Sequence, residues 1–171
     1  MEEFYFVRTF LRIEEMNFRE LTLKGAYLIE PEKREDERGF FARVFCREEF
    51  QKRGLKTDLI QRNVSYNKRA GTLRGMHYQT VPYAEVKIVR CTAGAIYDAI
   101  LDLRPESTTF GQWTSVELSA ENRRLLYVPE GFAHGYQSLT DDAEVFYQTT
   151  AAYRADAERG VRWDDPSFNI Q

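Results

Sequence analysis

Short apolar and aromatic runs, broken by turn residues about every ten positions, most constrain how this 171-residue chain can fold. Runs of this length and spacing are typical of the strands of an all-β sandwich or barrel. The chain also contains 12 Phe and 10 Tyr, and aromatic side chains suit a pleated, half-buried surface. We therefore expect one all-β domain. The predicted strands lie near residues 21–29, 40–46, 59–66, 72–79, 86–92, 95–103, 112–118, 124–128, 133–139 and 143–150.

A short helix is predicted between the second and third of these strands. Residues 47–54, REEFQKRG, have a helical composition and end at Gly54, which suits the C-cap of a helix. We interpret residues 1–15 as an N-terminal extension outside the core, and residues 16–171 as the single domain.

Charge, hydropathy and cysteine content exclude several classes of protein. The net charge of −3 provides no basic surface of the kind that binds nucleic acid. The longest apolar stretches are about eight residues long, which is too short to cross a membrane. The acidic N-terminal segment does not resemble a signal peptide. Cys46 and Cys91 cannot form a disulfide framework, so we expect a cytoplasmic protein in which both are buried thiols.

The run at residues 96–104, IYDAILDLR, has two faces of different character. One face carries Tyr97, Ala99, Leu101 and Leu103, and we expect it to pack against the core. The other face mixes isoleucine with Asp98 and Asp102, so it faces either solvent or a polar cavity. For the strand taken alone, the solvent-facing interpretation is the simpler one.

The chain has two histidines, His77 and His134, so any acid–base role of an imidazole belongs to one of them. Two histidines cannot form a three-histidine metal site, and they lack the closely spaced H-x-H pattern of many metal sites. A site of two histidines and one carboxylate stays open, but no spacing indicates it. For His77 alone, a hydrogen-bonded core residue is the simpler interpretation. For His134, a role in fixing its turn competes equally with contact to a ligand.

The strand pattern also makes a prediction about the neighbours of His77. Strict alternation along residues 72–79 places His77 on the face opposite to Arg74, unless a β-bulge intervenes. Gly135, next to His134, would let another group approach closely.

Four further polar residues stand where burial is costly or where an anion could bind. Lys87 lies between two β-branched residues on a predicted central strand, so it needs a solvated edge or an anionic partner. Tyr147 lies in an equally apolar run and could donate a proton. Arg38 and Arg43 could bind phosphate, although solvated ion pairs are the usual role of arginine in an acidic protein. The chain has no glycine-rich phosphate loop, so a nucleotide would have to be bound by side chains.

A series of motifs along the chain resembles one known family. In order they are DERGFF (36–41), QRN (61–63), LRGMHYQ (73–79), the strand of Lys87, TFGQW (109–113), LSAEN (118–122), VPEGFAHG (128–135), EVFY (144–147) and RWDDP (162–166). Together they are similar to the dTDP-4-dehydrorhamnose 3,5-epimerases, from about Leu21 to Gln171. The resemblance implies a cupin-type double-stranded β-helix (jelly roll) with a few short helices, a homodimer, and neither a metal nor an organic cofactor.

The resemblance also implies a reaction and the residues for it. The substrate would be a nucleotide-linked 4-keto-6-deoxy sugar, most simply dTDP-4-dehydro-6-deoxy-D-glucose, epimerised at C3, C5 or both towards dTDP-4-dehydro-L-rhamnose. By matching motif, His77 would be the base, Tyr147 the acid on the opposite face, and Lys87 the cation beside the enolate oxygen. The sugar and pyrophosphate site would be lined by Arg38, Gln61, Asn63, Arg74, His134, Tyr153 and Glu158.

Two departures from the family's pattern affect these expectations. Arg43 stands where many members have a glutamate, which marks a subgroup and could change the sugar or nucleotide preference. The sequence ends at Gln171, before the family's tail, whose aspartate orients the catalytic histidine. Asp98 would be a substitute partner for His77, and if the chain is complete we expect lower activity or action at one carbon.

Other functions stay open on the sequence alone. They are a keto-sugar isomerase on the same scaffold and a non-catalytic cupin that binds sugar nucleotides, because a fold does not fix a function. A metal-dependent cupin oxygenase is the least favoured, since the chain has two histidines.

Overall fold

The structure, a computed structural model, describes residues 16–171, which form thirteen strands and one short helix, α1 (Arg47–Gln51). The predicted N-terminal extension, residues 1–15, lies outside the described residues. The strands are β1 (Asn17–Glu20), β2 (Tyr27–Glu30), β3 (Lys33–Asp36), β4 (Gly39–Ala42), β5 (Gln61–Asn67), β6 (Leu73–Gln79), β7 (Lys87–Ala93), β8 (Ala95–Asp102), β9 (Trp113–Ser119), β10 (Leu125–Val128), β11 (Phe132–Ser138), β12 (Ala143–Thr149) and β13 (Glu158–Gly160).

Antiparallel pairing groups the strands into two facing sheets and a hairpin. Six strands form one sheet in the order β1-β2-β10-β7-β12-β5, and five form the other in the order β13-β6-β11-β8-β9. The hairpin consists of β3 and β4. This arrangement confirms the prediction of an all-β jelly roll.

The main core lies between the two sheets. The six-stranded sheet contributes Val89 and Val145, and the five-stranded sheet contributes Ile96 and Ile100, all without solvent exposure. Each such side chain stabilises the fold by about 1.5–3 kcal/mol relative to an exposed one. A second cluster lies on the outer face of the six-stranded sheet, where Phe50 of α1 packs against the strands.

The elements follow the predicted pattern with differences at their ends. The helix predicted at residues 47–54 is α-helical only over Arg47–Gln51. Hydrogen-bonded turns follow it and end at Gly54, whose φ is +71°. The predicted strand at 21–29 becomes a strand only from Tyr27, because a turn occupies the residues before it. β1, β3 and β13 were not predicted, since their short sequences (NFRE, KRED and ERG) are polar.

The structure corrects the prediction about which face of β8 packs against the main core. The face that carries Asp98 and Asp102 is the inner face, because Ile96 and Ile100 on the same side belong to the main core. Both aspartates are fully buried, so the solvent-facing interpretation was wrong. Leu101 on the other face is also buried, in a smaller outer cluster.

Both cysteines are free thiols; Cys91 is buried, whereas Cys46 is only partly buried. Burial raises the pKa of the Cys91 thiol to about 11. Within residues 16–171, no helix has the length and apolar character needed to span a membrane.

Candidate active site

A cavity of about 480 Å³ opens between the two sheets, and it is lined by side chains that can transfer protons or carry charge. His77 and Arg74 reach it from β6, His134 from β11, Lys87 from β7 and Tyr147 from β12. A smaller recess of about 140 Å³ shares His77, Lys87 and Tyr147 with the cavity. Its wall also includes Gln61, Asn63, Glu85, Tyr153 and Glu158. Residues from distant parts of the sequence therefore converge on one place.

A bulge in β6 brings Arg74 and His77 to the same cavity. His77 is paired with His134 and Arg74 with Tyr136, so the step of three residues on β6 faces a step of two on β11. The sequence placed Arg74 and His77 on opposite faces unless a β-bulge intervened, and the bulge is present: its extra residue brings both side chains to one face. The side-chain Nε of Arg74 also donates a 2.8 Å hydrogen bond to Asn67 Oδ1.

Two glycines allow the strands to approach at this bulge. Gly75 has a φ of +104°, and a Cβ placed there would lie 2.5 Å from the Cα of Gly135. A Cβ on Gly135 would lie 2.8 Å from the backbone oxygen of Arg74. The close approach predicted at Gly135 is therefore confirmed, and the approaching group is the backbone of β6.

A carboxylate contacts the proposed base. Glu158 Oε1 lies 2.9 Å from His77 Nδ1, and Glu158 Oε2 accepts a 2.8 Å hydrogen bond from the Tyr153 hydroxyl. That hydrogen bond raises the pKa of Tyr153. The backbone N–H of Tyr153 donates to Gln61 Oε1 at 3.1 Å, which ties the group to the edge strand β5.

Asp98 contacts the other histidine, so its predicted role as the partner of His77 was wrong. Asp98 Oδ1 lies 2.8 Å from His134 Nε2, and the Asp98 side chain has no solvent exposure. Neither Asp98 oxygen accepts a well-aligned hydrogen bond from the residues that the structure describes. A buried carboxylate is tolerated only beside a compensating group, so the pair holds the His134 ring at the cavity wall.

Lys87 and Tyr147 are accompanied by a residue that the sequence analysis missed. Glu85 Oε1 lies 3.3 Å from Lys87 Nζ, and both side chains are nearly buried. Burial raises the pKa of Tyr147, and the charge of Glu85 raises it further. The sequence did contain a signal, because a buried lysine requires an anionic partner and a glutamate stands two positions before it.

Arg38 and Arg43, which were predicted to bind substrate, do not line the cavity or the recess. Arg38 is exposed at the β3–β4 turn and forms an ion pair with Asp36. Arg43 forms an ion pair with Glu49 of α1. Neither contributes to the walls of the cavity or the recess, so their substrate contacts stay predictions.

The arrangement suits the removal and return of a proton next to a carbonyl group. An imidazole and a phenol supply a base and an acid, and an ammonium can stabilise the oxyanion that forms between the two steps. Within residues 16–171, no group of three or more His, Cys, Asp or Glu side chains is arranged to hold a metal ion.

Comparison with known proteins identifies the same family that the sequence motifs resemble. The sequence profile of the dTDP-4-dehydrorhamnose 3,5-epimerase family matches residues 20–171. A dTDP-4-dehydrorhamnose 3,5-epimerase of Sinorhizobium fredii is 44% identical over 158 residues, which are 92% of this chain and 81% of the relative.

Solved structures agree with the sequence matches. The crystal structure of a dTDP-4-dehydrorhamnose 3,5-epimerase from Bacillus anthracis, with TDP and PPi bound, superposes with a TM-score of 0.88 at 42% identity. That match covers 91% of this chain and 89% of the other. A Legionella pneumophila dTDP-6-deoxy-D-glucose-3,5-epimerase in complex with dTDP-4-keto-L-rhamnose has a TM-score of 0.85 at 36% identity, covering 91% and 82% of the two chains.

Proposed function

This chain belongs to the dTDP-4-dehydrorhamnose 3,5-epimerase family, and from that premise we propose that it epimerises a dTDP-linked 4-keto-6-deoxy sugar at C3 and C5. The substrate proposed is dTDP-4-dehydro-6-deoxy-D-glucose, and the product is dTDP-4-dehydro-L-rhamnose. Related structures with TDP or dTDP-4-keto-L-rhamnose bound support a substrate of this class.

The observation that carries the proposal is that His77, Lys87 and Tyr147 line one cavity, although they come from three strands. His77 removes the proton from the carbon next to the C4 ketone, and the electron pair moves to the ketone oxygen. Lys87 stabilises the resulting enolate, a contribution of about 3–4 kcal/mol for a well-placed donor. Tyr147 then returns a proton to the opposite face of that carbon, which inverts its configuration.

Polar side chains around these three residues are proposed to bind the rest of the substrate. Arg74 and His134 line the main cavity, while Gln61, Asn63 and Tyr153 line the recess. A guanidinium is suited to a pyrophosphate oxygen, so Arg74 is the proposed contact to the diphosphate. Arg38 is included in the proposal on the family resemblance, and Arg43 because its guanidinium could bind a phosphate.

Turnover of the proposed substrate tests the function. The protein is incubated with dTDP-4-dehydro-6-deoxy-D-glucose, and ¹H NMR coupling constants of the sugar ring report the configuration at C3 and C5. Inversion at both carbons is expected. Binding without inversion would contradict the proposal and indicate a non-catalytic module, and inversion at one carbon would correct it to a mono-epimerase.

We also propose that the protein is a homodimer that buries the outer face of β5, β12 and β7. Val64, Phe146 and Arg90 stand side by side across these strands, and Val64 is 61% exposed. Arg90 Nε is buried without a hydrogen-bond partner among the described residues. Tyr66 extends the exposed apolar surface along β5. A face that is partly apolar, and on which Arg90 Nε has no hydrogen-bond partner within residues 16–171, is suited to a second copy of the chain.

Light scattering after size-exclusion chromatography tests the homodimer. We expect a dimer for the wild type and a monomer for Val64→Glu, while Val81→Glu, at a loop residue that is 85% exposed, leaves the dimer intact. A dimer that persists in Val64→Glu would contradict this interface. The cytoplasmic location predicted from the sequence stays a proposal.

A further inference from the structure

We propose that Glu158 is a positioning residue that selects the tautomer of His77, holding the proton on Nδ1 so that Nε2 carries the free electron pair. The inference rests on the proposed role of His77 as the base. The tautomer itself can be measured without substrate, so it can be tested apart from the reaction.

The contact between the two side chains favours the proton on one particular ring nitrogen of His77. Glu158 Oε1 lies 2.9 Å from His77 Nδ1. An ionised carboxylate has no proton to donate, and its negative charge at this distance stabilises an N–H over a lone pair, so the contact favours the proton on Nδ1. A neutral imidazole has one N–H, and Nε2 is then left with its lone pair. In water a neutral histidine carries its proton mostly on Nε2, so without Glu158 the base would be in the wrong form.

The carboxylate is held on both of its oxygens. Strand β13 pairs with β6, and Gly160 opposite His77 puts Glu158 one diagonal step away from the histidine. The second oxygen of Glu158 accepts the hydrogen bond from the Tyr153 hydroxyl. A carboxylate held in this way orients the imidazole ring as well as its proton.

The other carboxylates near His77 have different partners. Asp98 lies beside His134, Glu85 beside Lys87, and Asp164, which lines a neighbouring hollow with His77, beside Arg162. Among the described residues, Glu158 is therefore the carboxylate that contacts His77. This role differs from the substrate-binding role that the sequence analysis predicted for Glu158.

Nitrogen-15 NMR of the imidazole side chains tests the proposal directly. The chain has two histidines, so His134→Gln assigns both sets of signals. The wild type is expected to show His77 as the Nδ1–H tautomer when neutral. Glu158→Ala is expected to convert it mainly to the Nε2–H tautomer, because the acceptor is gone.

A matched control separates this effect from a general loss of charge or structure. Asp156→Ala removes a neighbouring exposed carboxylate that pairs with Arg154, and it should leave the His77 tautomer unchanged. Thermal unfolding checks that both variants fold. A wild type with Nε2–H, or an unchanged tautomer in Glu158→Ala, would overturn the proposal.

Kinetics provide a second readout that distinguishes the two proposals. We expect Glu158→Ala to lower kcat by about 10²-fold with a much smaller change in KM, because the base is misoriented rather than the substrate lost. Equal losses in Glu158→Ala and Asp156→Ala would overturn the positioning role. If the wild type itself inverts no sugar while the tautomer changes as expected, the proposed function fails and the inference about Glu158 stands.

Discussion

At the scale of single residues, the surroundings of Tyr147 keep its phenol in the protonated form. Burial raises the pKa of Tyr147, Glu85 raises it further, and Arg74 lowers it. Tyrosine is protonated at neutral pH at its ordinary pKa of about 10, and these surroundings extend that form to higher pH, so the phenol has a proton to donate to an enolate. Glu85 thus serves two neighbours, since it also pairs with Lys87.

Titration of Tyr147 tests this account of its surroundings. In ¹³C-tyrosine-labelled protein, assigned with Tyr147→Phe, the Cζ signal should titrate with a midpoint above the ordinary value of about 10. Glu85→Gln should lower the midpoint, because a negative charge near the phenolate is removed. Glu117→Gln, at an exposed position on β9, is the control and should not change it. A midpoint that is the same in Glu85→Gln would contradict the role of Glu85.

At the scale of elements, the bulge between β6 and β11 determines which side chains share the cavity. The bulge depends on two glycines that face each other across the strands, Gly75 and Gly135. Because three residues of β6 face two of β11, Arg74 and His77 lie on one face. A substitution that changes this spacing would move the side chains of Arg74 and His77, although neither residue is itself substituted.

Gly135→Ala tests the bulge. Its Cβ would lie 2.8 Å from the Arg74 oxygen and 3.2 Å from the Gly75 Cα, so β6 has to move away. We expect about 1–3 kcal/mol less stability from overpacking and about 10²-fold lower kcat/KM, because a displacement near 1 Å misplaces the base. Both quantities follow from a denaturant titration and a steady-state assay.

A second glycine variant serves as the control for stability. Gly111 has a φ of +75°, and nothing lies within 4 Å of a Cβ built there. Gly111→Ala strains the backbone but leaves the cavity intact, so we expect activity close to that of the wild type. Activity of Gly135→Ala equal to that of Gly111→Ala would mean that the bulge does not position the site.

The elements also mark the limit of what the sequence predicts. Runs of apolar residues predicted most strands of both sheets, because each lies against a core. The strand β13 is three residues long and polar, so no local pattern indicates it, yet it carries Glu158. The sequence left open whether β6 contains a bulge for a similar reason, since the bulge depends on how β6 meets a strand some sixty residues away. The family motifs predicted the residue types of the site, but not which carboxylate contacts which histidine.

At the scale of the whole molecule, two aspartates are buried between the sheets of a small jelly roll. Asp102 accepts hydrogen bonds from Arg104, Ser107 and Thr109. Burial by itself would raise the pKa of Asp102, but these hydrogen bonds lower it well below its ordinary value. The ionised form of Asp102 therefore stabilises the folded state above the unfolded-state pKa of about 4.

Asp102→Asn tests this contribution through the pH dependence of stability. At pH 7 we expect about 2–3 kcal/mol less free energy of unfolding, because a buried acceptor of charged hydrogen bonds is lost. The folded-state pKa is lowered, so the difference from the wild type should shrink as the pH falls below about 4. Denaturant titrations at several pH values measure it. Asp36→Asn, in an exposed ion pair, should change little, and an equal deficit of Asp102→Asn at pH 7 and pH 3 would contradict the account.

The central claim is that His77 removes a proton next to the ketone and Tyr147 returns one to the opposite face, and isotope exchange tests it most directly. Wild type, His77→Asn and Tyr147→Phe are incubated with dTDP-4-dehydro-6-deoxy-D-glucose in deuterated water, and deuterium at C3 and C5 is followed by NMR. We predict deuterated, inverted product from the wild type and no exchange above background from His77→Asn. Tyr147→Phe should release protons to solvent with slow inversion. Exchange by His77→Asn at the wild-type rate, or full-speed inversion by Tyr147→Phe, would contradict the account.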